Sequence, residues 1–130
     1  VVYGRENSSG TYVFFKEHVL GGADFAPKTQ TLPGTAAVAD AVGKDPAGIG
    51  YGGFAYGGGI RHVTISTEAG QPPVAPGEAT VADGSYPLTH PLYLYFHDEP
   101  SGTVKAFAEW IQGPAGRAIV QRAGFVPMAR

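Results

Sequence analysis

The spacing of apolar residues changes along the chain and predicts short strands and helices in alternation. The first three residues, Val-Val-Tyr, are β-branched or aromatic and predict a strand. Apolar side chains then recur at helical spacing over residues 11–20, and a pair of glycines follows them. Residues 23–34 show neither the helical nor the strand spacing of apolar residues and are predicted to be irregular. A second helix is predicted over residues 35–42, with Thr35 as its cap.

The middle of the chain predicts strands that are separated by glycine-rich and proline-rich connections. Residues 47–51 and 61–66 are predicted to be strands, and the glycine-rich segment 52–59 is predicted to be a loop or a short helical turn. One helical turn is expected near residues 79–82. Residues 88–97 alternate like a strand, and the proline inside this segment predicts an edge position or a hinge.

The strongest helical pattern lies near the C-terminus. Ser101 is predicted to cap a helix over residues 102–112. Pro114 suits the first turn of a further helix, which Gly124 closes. Residues 125–128 are predicted to form a short strand or an extended tail. This mixture of strands and helices indicates an α/β or α+β protein with short elements.

Composition narrows the possible functions. The chain has 130 residues, of which 43% are hydrophobic and 15% charged, as expected for one modest globular domain. A net charge of −2 argues against a broad nucleic-acid surface, which needs clustered lysine and arginine. The absence of cysteine excludes disulfides, thiolate metal ligands and cysteine nucleophiles. Because the sequence starts abruptly, without Met or a signal peptide, we expect a processed or excised piece of a longer protein.

An arginine lies shortly before a predicted helix start in the segment Arg-Glu-Asn-Ser-Ser-Gly-Thr. The first amides of a helix lack an intrahelical acceptor and can bind an oxyanion. Ser9 and Thr11 add hydroxyl donors there, and Gly10 lets an anion approach the backbone closely. Arg5 offers two parallel donors, and Asn7 can donate or accept through its side-chain amide. Together these groups match a tetrahedral dianion such as phosphate.

A second interpretation of this segment stays open, because serine is a common helix cap. Ser9 would then only cap the helix, and Arg5 would be solvated. The same tripeptide, Ser-Gly-Thr, recurs at residues 101–103, where a histidine stands in place of the arginine. Asp98 and Glu99 would repel an anion at that second copy. The second copy therefore predicts a plain N-cap, and the arginine distinguishes the first.

These residues resemble the second-lobe anion loop of the phosphate-binding proteins of ABC transporters, the PstS family. The family pattern is an arginine, three further residues and then Ser-Gly-Thr, which Arg5, Ser9, Gly10 and Thr11 match. Three more segments resemble segments of the family and occur in the same order along the chain. The first is the Ile-Gly-Tyr strand and turn at 45–56, and the second is the Tyr-Pro-Leu segment at 84–96. The third comprises the C-terminal helices and the closing Gly-Phe-Val-Pro at 107–128. The resemblance covers nearly the whole chain.

The resemblance implies an α/β chain that is part of a two-lobed periplasmic-binding-protein fold, with a mixed sheet and flanking helices. It implies that phosphate binds in a cleft between the lobes and that the closed protein is presented to a membrane ABC permease. A periplasmic or extracellular location at the cell envelope follows from the same likeness. Arg5 would be the charge partner of phosphate, and Ser9, Gly10 and Thr11 would be its hydroxyl and backbone donors. Neither catalysis, a cofactor nor a nucleic-acid partner is implied.

The sequence departs from the family in two respects. Many relatives carry an acid at the position of Asn7, so selectivity against sulfate is left open. Family members are also roughly twice as long, an expectation that the resemblance supplies. Residues 1–88 would belong to the second lobe with its anion loop, and residues 89–130 would hold a hinge strand and C-terminal helices that return to the first lobe. We hypothesise that the chain is a fragment, or one of two complementing chains whose partner is an N-terminal half.

Other functions carry weaker signals. Ser9 with a histidine and Asp24 or Asp40 would suit a phosphoester hydrolase, but no G-x-S-x-G elbow is present. A phosphate-sensing or scavenging module would use the same residues as a transport protein. The glycines of residues 48–59 lack the lysine of a nucleotide-binding loop, and tight packing and turns explain them better. No pair among the four histidines has the spacing of a metal site.

The aromatic residues are interpreted as packing residues rather than as a sugar-stacking platform. Most are expected to lie in the core or at an interface between lobes. The set comprises Tyr51, Tyr56, Tyr86, Tyr93, Tyr95, Phe96, Phe107, Trp110 and Phe125.

Overall fold

A computed structural model describes residues 1–127 and divides the chain into two compact units. The first unit spans Val1–Thr64, and the second begins at Ile65. No helix within the described residues has the length and hydropathy that a membrane span requires. Each unit is a separate arrangement of short elements, and the residues of the predicted anion loop all lie in the first.

The first unit is built on three parallel strands. Strand β1 is Val2–Arg5, β2 is Gln30–Leu32 and β3 is Ile49–Gly50, and they lie in the order β2-β1-β3. Tyr3 of β1 aligns with Gln30 on one side and with Gly50 on the other. The strands are parallel, so each connection must cross over the sheet, and helices make both crossovers. Central β1 is thereby flanked by strands that follow it in the chain.

Helix α1 is Gly10–His18 and connects β1 to β2. Ser9 caps its first turn, since the Ser9 Oγ accepts from the Tyr12 amide at 3.4 Å. The helix ends where Gly22, at a φ of +85°, donates its amide to the Lys16 carbonyl at 2.9 Å. The predicted start and stop of this helix are both confirmed within two residues.

Helix α2 is Gly34–Lys44 and connects β2 to β3, and a 3₁₀ turn follows at Phe54–Tyr56. Val38 is the most buried hydrophobic residue described, at 3% exposure, and it faces Gly50. A Cβ on Gly50 would lie 2.7 Å from the Val38 Cγ1, so only glycine lets α2 approach the sheet this closely. This confirms that packing explains at least part of the glycine-rich segment 48–59.

The regular elements in the described part of the second unit are three helices joined by long irregular segments. Its helices are α3 at Glu78–Ala82, α4 at Gly102–Gln112 and α5 at Pro114–Arg122, and α4 packs against α5. All three were predicted, including Pro114 at the first position of α5. Ser101 occupies the N-cap position of α4 as predicted, but its side chain makes no capping hydrogen bond.

Several sequence predictions about strands are wrong. Neither 61–66 nor 88–97 forms a strand within the described residues, and the only extended pairing there is a bridge between Ile65 and Val74. Residues 23–34, predicted to be irregular, contain β2. Strand formation depends on a partner at the right register, which a local pattern does not reveal. Residues 125–127 form no strand, and the last residue of the predicted 125–128 segment lies outside the described residues.

The aromatic residues are more exposed than predicted. Tyr51 is half-buried, but most of the others expose a large part of their surface, with Tyr95 at 88%. The longest exposed apolar run is Leu92–Phe96. A core role is therefore wrong for most of the set, whereas an interface role stays a prediction. The other strongly exposed members are Tyr56, Tyr93, Phe107, Trp110 and Phe125.

Candidate anion-binding site

The carboxyl ends of the parallel strands define one edge of the sheet. The chain leaves β1, passes through α1 to β2 on one side, and then passes through α2 to β3 on the other. The connections diverge at β1, so this edge contains a topological switch point, where ligands of open α/β sheets typically bind. The first residues of α1 and α2 both follow carboxyl ends of strands, and both helix N-termini belong to this edge.

Arg5 is the last residue of β1, and its guanidinium is held by two partners. Its Nε and Nη2 donate to the two carboxylate oxygens of Glu6 at 3.3 and 3.0 Å. Its Nη1 donates to the Thr35 Oγ1 at 2.8 Å. The side chain is 14% exposed, so the guanidinium is fixed in position and still reachable from solvent.

Glu6 joins the two helix-start loops. Besides its paired bonds with Arg5, its carboxylate accepts the Gly34 amide, the first of α2, at 3.2 Å. The hydrogen bonds from Arg5, followed by those from backbone amides, lower the pKa of Glu6 to about 2. Its carboxylate is therefore ionised at neutral pH.

The start of α1 presents a second group of donors. Ser9 is buried at 7% exposure, and its hydroxyl accepts from Tyr12, which leaves the hydroxyl proton available to donate. The amides of Gly10 and Thr11 belong to the first turn, where a helix has no internal acceptor. A Cβ built on Gly10 would meet nothing within 4 Å, so the space beside its Cα is open.

The structure does not show the predicted contacts between Arg5 and the start of α1. Within residues 1–127, no hydrogen bond joins the guanidinium of Arg5 to Asn7, Ser9, Gly10 or Thr11. Asn7 is exposed, and Thr11 is half-buried. The convergence of Arg5 and the α1 amides on one anion stays a prediction, and Ser9 has the capping bond of the alternative interpretation.

Sequence reasoning missed three residues that contact Arg5 or its partner. Thr35 was predicted to cap α2, but the N-cap position is Pro33, and the Thr35 hydroxyl accepts from Arg5 instead. Gly34 donates to Glu6, whose role was not anticipated. These contacts span about thirty positions of sequence. Recognising β2 as a strand would have placed both loops at one sheet edge.

Aromatic rings pack near the end of β1. Tyr51 stacks on Phe15 with ring centroids 4.1 Å apart, and its hydroxyl accepts the Arg5 amide at 3.2 Å. Phe25 stacks on the same ring at 5.6 Å. A cavity of about 240 Å³ lies beside these rings, with Gly4 and Thr29 in its lining. This packing fixes the backbone at the end of β1.

The acids proposed for a hydrolase have other partners. Asp24 accepts from the Lys16 Nζ at 2.6 Å, and Asp40 accepts from the Lys44 Nζ at 2.8 Å. No hydrogen bond in the described chain joins Ser9 to a histidine or an aspartate. The geometry offers Ser9 no general base, so it does not favour a nucleophilic role.

Comparison with known proteins identifies the family. The model of the PBP superfamily domain matches residues 1–115. The chain belongs to the PBP superfamily. It is also 31% identical over 132 aligned positions to the phosphate-binding protein PstS of Pseudomonas aeruginosa, covering 98% of this chain and 41% of that relative. PstS of Staphylococcus saprophyticus is 30% identical over 114 positions, covering 85% of this chain and 35% of the relative.

Solved structures agree with this chain on the fold. A putative phosphate ABC transporter substrate-binding protein from Clostridium perfringens, solved with bound phosphate, superposes with a TM-score of 0.70 at 24% identity, covering 99% of this chain and 52% of that one. PstS from Borrelia burgdorferi gives a TM-score of 0.68 at 20% identity, covering 99% and 53%. The α/β fold class with flanking helices is confirmed, and this chain spans about half of each structure.

Proposed function

We propose that this chain binds inorganic phosphate as part of a solute-binding protein for ABC-transporter uptake. Relatives covering nearly the whole chain are named phosphate-binding proteins, which supports a binding role rather than an enzymatic one. The chain spans less than half the length of these curated relatives. The function of the whole protein is therefore inferred from the part that this chain represents. A membrane ABC permease is the partner, and the location is periplasmic or extracellular.

One observation carries the proposal. A helix N-terminus with a buried capping serine and open space beside Gly10 belongs to the sheet edge at which Arg5 ends β1. The amides supply donors without adding a charge, and the arginine supplies the charge. In the proposed complex Arg5 binds two phosphate oxygens, Ser9 and Thr11 donate hydroxyls, and Asn7 donates or accepts at the rim.

A complementary N-terminal half chain completes the site in this proposal. Residues 1–88 belong to the lobe with the anion loop, and residues 89–130 return to the other lobe. The exposed run Leu92–Phe96 is consistent with a segment whose partner surface is supplied elsewhere. We therefore expect this chain alone to bind phosphate weakly, because it supplies the donors of one lobe only.

Titration of the labelled chain with inorganic phosphate tests the function. Amide shifts in ¹H–¹⁵N spectra should saturate, with the largest changes at Gly10 and Thr11, and calorimetry should show tighter binding once the N-terminal half is added. Sodium chloride at matched ionic strength is the control. Shifts that are uniform over the surface, or equal affinity with and without the added half, would contradict the proposal.

Gly10→Ala should separate ligand binding from folding. The open space beside Gly10 accepts a methyl group, and alanine is the better helix former, so stability should stay within about 0.5 kcal/mol or rise. The methyl group would keep phosphate from the amides, and affinity should fall by roughly tenfold, as expected for loss of about one charge-assisted hydrogen bond. Thermal unfolding and phosphate titration measure the two effects. Unchanged phosphate affinity would show that the ligand does not contact this helix start.

A further inference from the structure

We propose that Thr35 is a positioning residue for the Arg5 guanidinium, and that Gly52 keeps the Thr35 hydroxyl directed at it. This inference rests on the proposed phosphate-binding function. Thr35 fixes the direction of the arginine nitrogens that bind the anion. The three residues follow or end three different strands, since Arg5 ends β1, Thr35 lies beyond β2 and Gly52 lies beyond β3.

Thr35 holds the end of the guanidinium that Glu6 does not hold. The Arg5 Nη1 donates to the Thr35 Oγ1 at 2.8 Å, whereas Glu6 accepts from Nε and Nη2 at 3.3 and 3.0 Å. Thr35 is the second residue of α2, and this helix is packed closely on the sheet where Val38 faces Gly50. The hydroxyl therefore ties the arginine to a fixed helix.

Gly52 fixes the orientation of the Thr35 side chain. A Cβ on Gly52 would overlap the Thr35 Cγ2, so the threonine methyl group packs directly on the glycine backbone. The φ of Gly52 is not left-handed, so the missing side chain, rather than backbone freedom, explains this glycine. Threonine in a helix divides between two χ1 rotamers, and a change of rotamer moves the methyl group and the hydroxyl together. Contact with Gly52 thus also fixes the hydroxyl.

A fixed guanidinium presents two donors in a defined direction. Each terminal nitrogen has two N–H groups, of which Thr35 takes one on Nη1 and Glu6 takes one on Nη2. One N–H is left on each nitrogen of Arg5, and two such donors suit two oxygens of one anion. A side chain that is ordered before the ligand arrives loses less rotamer freedom on binding. Loss of the Thr35 hydroxyl should therefore weaken phosphate binding.

Thr35→Val and Thr35→Ser separate the hydroxyl from the shape of the side chain. Valine keeps the branched shape and removes the acceptor, so phosphate affinity should fall by roughly threefold to tenfold, the cost of ordering one free side chain on binding. Serine keeps the acceptor and should stay within about twofold of the wild type. Titration of the labelled chain with inorganic phosphate, followed by ¹H–¹⁵N shifts, measures both. Equal affinities of the two folded variants would overturn the proposal.

The Arg5 guanidinium reports on this anchor without any ligand. Its bond to Thr35 should slow rotation about the Cζ–Nη1 bond, so the Nη1 protons of the ligand-free wild type should give separate signals. Thr35→Val should average these signals, and Thr35→Ser should keep them separate. Signals that are averaged to the same degree in all three proteins would show that the hydroxyl does not hold the guanidinium.

Gly52→Ala tests the second part of the proposal. The new methyl group should displace that of Thr35 and turn the hydroxyl away from Arg5, so phosphate affinity should fall as in Thr35→Val. Adding Thr35→Ser removes the overlapping methyl group and should restore the affinity. Adding Thr35→Ala relieves the same overlap without a hydroxyl and should not restore it. Gly53→Ala is the control, because a Cβ there lies 3.7 Å from the Tyr56 ring, an ordinary contact.

Recovery with serine but not with alanine is a result that a purely steric role of Thr35 would not give. Equal recovery in the two double variants, or none in either, would contradict the proposal. If Gly52→Ala does not fold, Thr35→Ser and Thr35→Ala in the wild-type background decide the question. Absence of saturable phosphate binding by the wild type would overturn the proposed function and this inference with it. Binding that is indifferent to the Thr35 hydroxyl would overturn this inference alone.

Discussion

Arg5→Ala is expected to weaken phosphate binding by roughly tenfold to a hundredfold. The change removes a charge-assisted, two-donor contact worth about 1.5–3 kcal/mol. It also leaves the Glu6 carboxylate without its partner, so the edge becomes more negative and repels the anion further. Titration of the labelled chain with phosphate, with and without the complementary half, measures the loss.

Two variants control the Arg5 experiment. Arg5→Lys keeps the charge but not the planar pair of donors, and its affinity should lie between those of wild type and Arg5→Ala. Arg61→Ala removes the same charge from an exposed position in the same unit and should change affinity less than twofold. If folded Arg5→Ala binds phosphate as tightly as the wild type, Arg5 is not the charge partner.

Gly116→Ala is expected to be the most destabilising of the glycine substitutions in the second unit. Gly116 is buried in the first turn of α5, and a Cβ there would overlap the backbone of Ile111 at the end of α4. A backbone cannot rotate away as a flexible side chain can, so α5 must shift. The free energy of unfolding should fall by about 3 kcal/mol and the melting temperature by roughly 10 °C.

Gly58→Ala is the matched control for Gly116→Ala. A Cβ on Gly58 would meet nothing within 4 Å, and its φ is not left-handed, so its effect should stay below about 0.5 kcal/mol. Thermal unfolding followed by circular dichroism compares the two variants under identical conditions. Equal melting temperatures would mean that the close approach of α5 to α4 is not needed for stability.

Local patterns predicted the helices well, because the signals that start and stop a helix are close in sequence. Ser9 and the glycines after residue 20 define α1, and Pro114 begins α5. Strands were predicted less well. Strand β2 has only three residues, and they are largely exposed. Neither alternating hydrophobicity nor burial therefore distinguishes this strand from a loop. Their pairing with β1 requires the whole βαβ arrangement, which no window of sequence contains.

The same contrast applies to the candidate site. The motif of Arg5, Ser9 and Gly10 identified the loop, because all of its residues lie close together in the sequence before the start of α1. Thr35 as an acceptor for Arg5, and Gly34 as a donor to Glu6, required the fold. Contacts between loops that follow different strands depend on sheet order, and that order is a property of the assembled unit.

The adjacency of Arg5 and Glu6 has a consequence for protein engineering. Because a cation and its counter-ion are consecutive residues, grafting this loop onto another strand–helix junction would transfer both without altering the net charge of the recipient. The acceptor hydroxyl of Thr35 would have to come from a neighbouring crossover. A recipient with an adjacent parallel strand followed by Gly-Thr is therefore the scaffold on which such a transplant should succeed.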